Sequence, residues 1–221
     1  MSRTTDDPRP PVAADARTMI GFIGLGAMGS RIAGRLLDAG HPVSATNRTA
    51  AKARPLIERG LVWLGSPREV AASTDVVLSM VTDDDALDAI ATGPDGLLAG
   101  LAAGQVYADM STVSPQASRR LAGRVRARGA HMLDAPVSGS IPQAESGTLA
   151  IMVGGDPHAF AAVEPLLREL GRAVAHVGPT ARAWCSSSRS TSASRCRRSP
   201  SAKGCCSPNA PASILTSPPR S

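Results

Sequence analysis

The stretch Met19-Ile-Gly-Phe-Ile-Gly-Leu-Gly-Ala-Met-Gly-Ser30 limits what this chain can fold into more than any other. A short apolar run enters a turn whose glycines, Gly24, Gly26 and Gly29, have the spacing G-x-G-x-x-G. Arg31 to Ala39 then continues with helical periodicity. In a chain with 21 Gly the spacing alone is often just a turn. A strand before it and a helix after it give it meaning. The first glycine turns the chain, the second lets backbone approach a pyrophosphate, and the third lets helix and strand pack closely. Phosphates then sit on free N–H groups at the positive helix end. A second apolar strand, Pro42 to Thr46, follows at the distance such a unit needs and ends in Asn47-Arg48-Thr49.

The pattern repeats along the chain. Ala50 to Gly60 reads as helix and Leu61 to Leu64 as a short strand. Ser66-Pro67-Arg68-Glu69 opens a capped helix. Asp75 to Val81 is an unbroken apolar strand of the kind buried in parallel sheets. Gln105 to Asp109 and His131 to Ala135 are further strands, separated by a helix from Ser114-Pro115 to Arg128. Thr148 to Val153, a helix over Pro157 to Leu170, and Arg172 to Val177 follow. This alternation predicts an α/β fold, a doubly wound, mostly parallel sheet with helices on both faces. Ligands of such sheets bind beyond the carboxyl ends of the strands. Five polar stretches fall there: Gly24–Gly29, Asn47–Thr49, Val81–Asp85, Ser111–Ser114 and Pro136–Gln143.

Composition matters chiefly at the ends. The net charge of +6 is misleading, because residues 181–221 hold six Arg, one Lys and no acid, while the other 180 residues hold 17 basic and 18 acidic side chains. All four Cys and 12 Ser lie in that last segment too. It lacks the apolar content to order itself, so 181–221 is expected to be a disordered tail. Residues 1–17 read as a loose polar leader without the apolar core of a signal peptide. The domain proper is then 18–180. No run approaches a membrane span, which predicts a cytoplasmic protein with no membrane partner. An Arg/Ser tail can bind nucleic acid, but no repeat or interleaved aromatic supports that here. Asp83 to Asp85 suit a solvated helix start better than a metal site, since consecutive acids point apart.

Gly21-Phe-Ile-Gly-Leu-Gly-Ala-Met-Gly29, Asp109-Met-Ser-Thr-Val-Ser-Pro115 and Asp134-Ala-Pro-Val-Ser-Gly139, extended by Ala144 and Gly147-Thr148-Leu149, resemble the β-hydroxyacid dehydrogenase family over about residues 18–180. That family includes 3-hydroxyisobutyrate dehydrogenase, tartronate semialdehyde and glyoxylate reductases and, more distantly, imine reductases. The resemblance implies an oxidoreductase moving a hydride between a nicotinamide and a small hydroxy acid or aldehyde, in a homo-oligomer when intact. By position, Gly24, Leu25, Gly26, Ala27, Met28 and Gly29 hold the pyrophosphate, Thr112 lies by the nicotinamide ribose, and Val81 is a further cofactor-binding residue. Asn47, Arg48 and Thr49 face the adenine ribose. An acid there would bind a free 2′-hydroxyl, whereas Arg48 offers a fork of donors to a 2′-phosphate, favouring NADP over NAD. The alternative is a solvated Arg48, with Asn47 accepting NAD. Ser138 and Gly139, with Ser140 and Ser111 nearby, are the substrate-binding candidates. Ser140 stands where the family usually has a second glycine, and crowds the anion cradle. No metal is implied.

The resemblance also leads one to expect a long helix with a catalytic Lys, a general acid/base on the substrate oxygen, followed one turn on by an Asn. Here His176-Val-Gly-Pro-Thr180 runs instead into Ala-Arg-Ala-Trp-Cys-Ser. The break reads as a shift of reading frame. One G inserted after the Thr180 codon, with permitted codons, yields Gly-Ala-Gly-Val-Val-Leu-Lys-Leu-Ala-Val, the Lys falling across the codons of Ser186 and Ser187. As written, the chain has no catalytic residue of that kind and is expected to be inactive. The other readings are a non-catalytic NADP-binding module and an imine reductase-like enzyme.

Overall fold

The computed structural model describes residues 10–14 and 18–181. The expected tail positions, Ser186 and Ser187 included, lie outside the described residues, as do 1–9 and 15–17. Strand β1 (Ile20–Ile23) leads through the glycine turn into α1 (Gly29–Asp38) and β2 (Val43–Thr46). A 3-10 turn (Ala50–Ala53) and α2 (Arg54–Ile57) precede β3 (Val62–Trp63), α3 (Pro67–Ala72) and β4 (Val76–Ser79). Then come α4 (Asp84–Ala91), α5 (Leu97–Gly100), β5 (Val106–Asp109), α6 (Pro115–Arg126) and β6 (His131–Asp134). The described residues close with β7 (Val137–Ser138), α7 (Ile141–Glu145), β8 (Leu149–Gly155), α8 (Pro157–Leu170) and β9 (Gly171–Gly178).

One sheet carries the nine strands of the described residues in the order β3-β2-β1-β4-β5-β6-β8-β7, with β9 also on β8. Every pair is parallel except β6–β8 and β7–β8. The strand order reverses between β1 and β4, the switch point at which crevices open in such sheets. Alternate side chains enter two cores. Ile20, Phe22, Val76 and Leu78 pack with Ile32 and Leu36 of α1 and Leu166 and Leu170 of α8. Ile23, Val77, Tyr107 and Met132 pack with Val70, Leu87, Leu97 and Leu121 of the opposite helices. Strands buried on both faces explain the unbroken apolar runs.

Three features differ from expectation. Only Arg54–Ile57 of the expected Ala50–Gly60 helix is α-helical, and the turn before it is 3-10. The stretch Pro136–Gln143 is not all loop: Val137 and Ser138 pair antiparallel with β8, and a helix begins at Ile141. Leu97–Gly100 forms an unexpected helical turn, burying Leu97 and Leu98. Two residues of the leader are also docked. The Val12 N–H donates to the Gly104 carbonyl at 3.1 Å, and the Ala14 N–H to that of Ala162 at 2.8 Å.

At the far end Ala181 is buried and holds φ 71°, the one non-glycine with positive φ among the described residues. Its N–H donates to Asp134 Oδ1 at 2.8 Å.

Candidate dinucleotide site

The glycine turn has three different steric environments. Gly24 sits at φ +99°, and a Cβ there would collide with the Met80 carbonyl oxygen. A Cβ on Gly29 would collide with the Gly24 carbonyl oxygen and reach 3.1 Å from Phe22 Cε1. A Cβ on Gly26 would meet nothing within 4 Å. Two glycines are therefore demanded by the protein's own backbone. The third faces open space, the cradle a close ligand would fill.

The start of α1 has the same character. Helices α4, α6 and α8 are each capped by a side-chain oxygen, from Asp83, Ser114 and Asp156. Helix α1 has Met28 at its N-cap, no side-chain cap bond and no acid in its first turn. Its positive end is thus met by no capping side chain of its own, the setting in which a helix start can take an anion. Leu25 is buried, and its N–H is held by Asn47 Oδ1 at 3.1 Å, so its share in the turn is backbone only. Ala27 is exposed and Met28 half-buried.

Beyond the carboxyl ends of β1, β2 and β4 lies a cleft of about 480 Å³ that Gly24, Gly26, Asn47, Arg48 and Val81 all line. Arg48 is exposed there, and Thr49, also exposed, does not line the cleft. Asn47 Nδ2 donates to the Thr49 carbonyl at 3.0 Å, so this amide is committed at both ends. Lys52, which the sequence reading did not single out, lines the cleft beside Arg48. It is three residues beyond Thr49 in a 3-10 turn, a placement that a straight helix would have changed. Opposite, the Asp83 carboxyl is held below its ordinary range by the Ala86 N–H, then the Thr82 hydroxyl, with a smaller part from the Arg48 charge. A larger cavity of about 620 Å³ lies on the α1–α2 side of Gly26 and Lys52. Two of its arginines are paired, Arg31 with Glu145 at 2.9 Å and Arg59 with Asp38 at 2.5 Å, and the third, Arg35, donates from Nε to the Glu169 carbonyl at 3.2 Å.

Ser111 is buried just behind Val81. Its hydroxyl donates to Asp109 Oδ1 at 2.6 Å and accepts the Val81 N–H at 2.9 Å, so it serves the fold there. Burial raises the Asp109 carboxyl above its ordinary value, against the donors from Ser111 and Ser79. Thr112 is exposed on the same loop. Asp83 caps α4 through the Ala86 N–H at 2.8 Å, and Asp84 accepts the Ser114 N–H at 2.7 Å, which ties two of the loops together. Among the described residues no group of three or more His, Cys, Asp or Glu is placed to hold a metal. None of their helices is long and apolar enough to cross a membrane.

Ser138, Gly139 and Ser140 do not line the cleft. Gly139 has φ +155°, and a Cβ there would come within 2.7 Å of Leu149 Cδ2. Ser140 has extended backbone (φ −105°), where a side chain fits without strain. Its N–H and hydroxyl both donate to Gln143 Oε1, at 2.8 and 3.0 Å, and so close the start of α7. That helix returns to the glycine turn through the Arg31–Glu145 pair.

The sequence profile of the NAD-binding domain of 6-phosphogluconate dehydrogenase matches residues 19–178. The 3-hydroxyisobutyrate dehydrogenase of Pseudomonas aeruginosa is 37% identical over 161 residues, covering 73% of this chain and 54% of the relative. Among solved structures, Psf3 in complex with NADP+ and 2-OPP superposes with a TM-score of 0.74 at 32% identity, over 76% of this chain and 60% of that one. Mycobacterium tuberculosis 3-hydroxyisobutyrate dehydrogenase with L-serine gives 0.74 at 29%, over 79% and 59%. The chain spans about half the length of the curated relatives it matches.

Proposed function

The chain belongs to the family of the 6-phosphogluconate dehydrogenase NAD-binding domain, and from that premise we propose that it is the dinucleotide half of an NADP-preferring β-hydroxyacid dehydrogenase. The observation that carries the reading is the pairing of the open Gly26 with the uncapped start of α1. Backbone N–H groups of Gly26, Ala27 and Met28, with the helix dipole, take the pyrophosphate. Arg48 and Lys52, side by side on the cleft, take a 2′-phosphate. With Asn47 committed to the turn, no carboxylate is offered to a free 2′-hydroxyl at that strand end.

A bound nicotinamide supplies the hydride. The chain's own residues hold it: Val81 and Thr112 flank the ribose on that side. Ser138 and Gly139, with Ser140 narrowing the approach, hold the carboxylate of a small hydroxy acid or aldehyde. The proton on the substrate oxygen needs a separate group. The one lysine among the described residues, Lys52, lines the cleft with Asn47 and Arg48, the part this reading gives to the adenosine. The hydroxyls of Ser138 and Thr112 are too weakly basic for the task. We therefore assign to the 221-residue chain dinucleotide binding without turnover.

Fluorescence titration of the purified chain with NADPH and NADH tests the reading. Saturable binding with NADPH the tighter ligand supports it. No binding of either dinucleotide overturns it.

A further inference from the structure

Beneath the cleft, four buried polar side chains form one network, in which Ser79 and Ser111 both donate to a single oxygen of Asp109 and Tyr107 bonds Ser79. Asp109, at the end of β5, accepts from Ser79 Oγ at 2.8 Å, Ser111 Oγ at 2.6 Å and the Ser111 N–H at 3.2 Å, all on Oδ1. Because the Ser79 proton points to Asp109, Tyr107 Oη donates to Ser79 at 2.7 Å. Asp109 is 1% exposed, and its Oδ2 has no hydrogen-bond partner. An unpaired buried carboxylate oxygen is costly. A side chain kept there asks for a reason beyond packing.

The reason lies in what Ser111 does with its other lone pair. It accepts the Val81 N–H at 2.9 Å. On the opposite side of that peptide, the Met80 carbonyl lies against Gly24, close enough that a Cβ there would collide with it. The Met80–Val81 peptide is thus fixed from both sides, by Ser111 beneath and the glycine turn above. It forms floor of the cleft between β1 and β4. Ser79 is bound to the same carboxylate but has no contact with the cleft. The network therefore has one arm that reaches the site and one that does not.

We propose that Asp109 is a positioning residue of the dinucleotide site. Through Ser111 it sets the orientation of the Met80–Val81 peptide, and with it the spacing between the glycine turn and the loop bearing Thr112. The functional consequence rests on the dinucleotide reading above; the positional one does not. The Ser111 hydroxyl is a structural relay in this account, rather than a substrate contact.

Amide hydrogen exchange at Val81 tests the relay without any ligand, and NADPH titration tests its consequence. Ser111→Ala should accelerate Val81 exchange and weaken NADPH about three- to tenfold, the loss of one positioned hydrogen bond. Ser79→Ala should lower the melting temperature yet leave both readouts at the parental values. Asp109→Ala should behave as Ser111→Ala. Asp109→Asn, which keeps an acceptor on Ser111, should restore both. Unaltered Val81 exchange in Ser111→Ala overturns the proposal. So does a Ser79→Ala protein that shifts exchange and affinity as much as Ser111→Ala. If the parent binds neither dinucleotide, the function reading falls, while the exchange arm still decides the relay.

Discussion

Asn47 Oδ1 accepts the Leu25 N–H at 3.1 Å, tying the end of β2 to the glycine turn. The bond spans 22 residues and uses the oxygen with which this side chain would otherwise read a ribose. On the function proposed above, discrimination between dinucleotides falls to Arg48, which is exposed and lines the cleft. Replacing it tests this directly. Arg48→Asp should weaken NADPH by roughly tenfold or more, the worth of a charge-assisted contact, and favour NADH. Titration curves of the two dinucleotides that keep their order after the change would rule out Arg48 as the discriminator.

The three glycines should separate by substitution. Gly29→Ala forces a methyl into the Gly24 carbonyl and should destabilise by about 1–3 kcal/mol. Gly26→Ala meets no protein atom and should leave stability within about 0.5 kcal/mol. Its methyl occupies the ligand's space instead, so NADPH affinity should collapse. Thermal melts and titrations on the same samples check both. A Gly26→Ala protein with parental affinity would show that the pyrophosphate does not approach there.

Asp109 predicts the sign of a pH effect. Its folded-state value is raised from 3.8, chiefly by burial, with Asp84 adding to the rise. The unfolded state therefore loses its proton first. The stability associated with this group is fully present below its ordinary value and is lost as pH rises through the raised one. Asp109→Asn cannot titrate. Urea unfolding from about pH 4 to 7 should show the variant gaining on the parent as pH rises. Asp83, with its lowered value, acts in the opposite sense but is common to both proteins. A constant difference across the range would contradict the assignment.

Much of this architecture was readable from residue order. The apolar runs over Val76–Ser79 and Val106–Asp109 are buried on both faces, and that burial is what erases alternation from the sequence. The glycine turn declared its own geometry. Strand β7 did not, because two residues carry no period, and Val137 is placed by Ile151 across the hairpin. The Ser140 and Gln143 spacing did signal a helix start, but Gly139 and Pro142 masked it as loop. The double commitment of Ser111 was out of reach. Its partners are set by distances between β4 and β5, which no local pattern encodes.

Ala181 stands where the sequence changes character, and its backbone is left-handed, a region that costs a residue with a Cβ about 1–2 kcal/mol. Glycine is the residue suited to that φ, and one nucleotide inserted after the Thr180 codon puts glycine at this position. Ala181→Gly should raise stability by roughly 0.5–1 kcal/mol, the strain relieved being partly offset by greater unfolded-state freedom. Chemical denaturation of the two proteins measures it. A loss of stability would mean that glycine's greater unfolded-state freedom, or the loss of the buried methyl, outweighs the strain relieved, since the backbone bond to Asp134 Oδ1 is open to either residue.

The last prediction joins that position to activity. Hydride transfer at a carbinol carbon requires a proton to leave or reach its oxygen, and a positioned acid/base accelerates this by typically ~10²–10⁴-fold. Thr112 and Ser138 lack the basicity, Lys52 lines the part of the cleft that the proposed reading gives to the adenosine, and His131 begins β6, at the amino end of its strand and away from the cleft. The 221-residue chain should therefore bind NADPH and show no turnover with hydroxy acids or aldehydes. A gene carrying one inserted nucleotide after the Thr180 codon, extended along the restored frame, should encode a lysine across the codons of Ser186 and Ser187 and gain activity. NADPH absorbance with both proteins against a panel of small aldehydes and hydroxy acids decides the matter. Equal rates would show that the proton is handled by a group already present in residues 18–181.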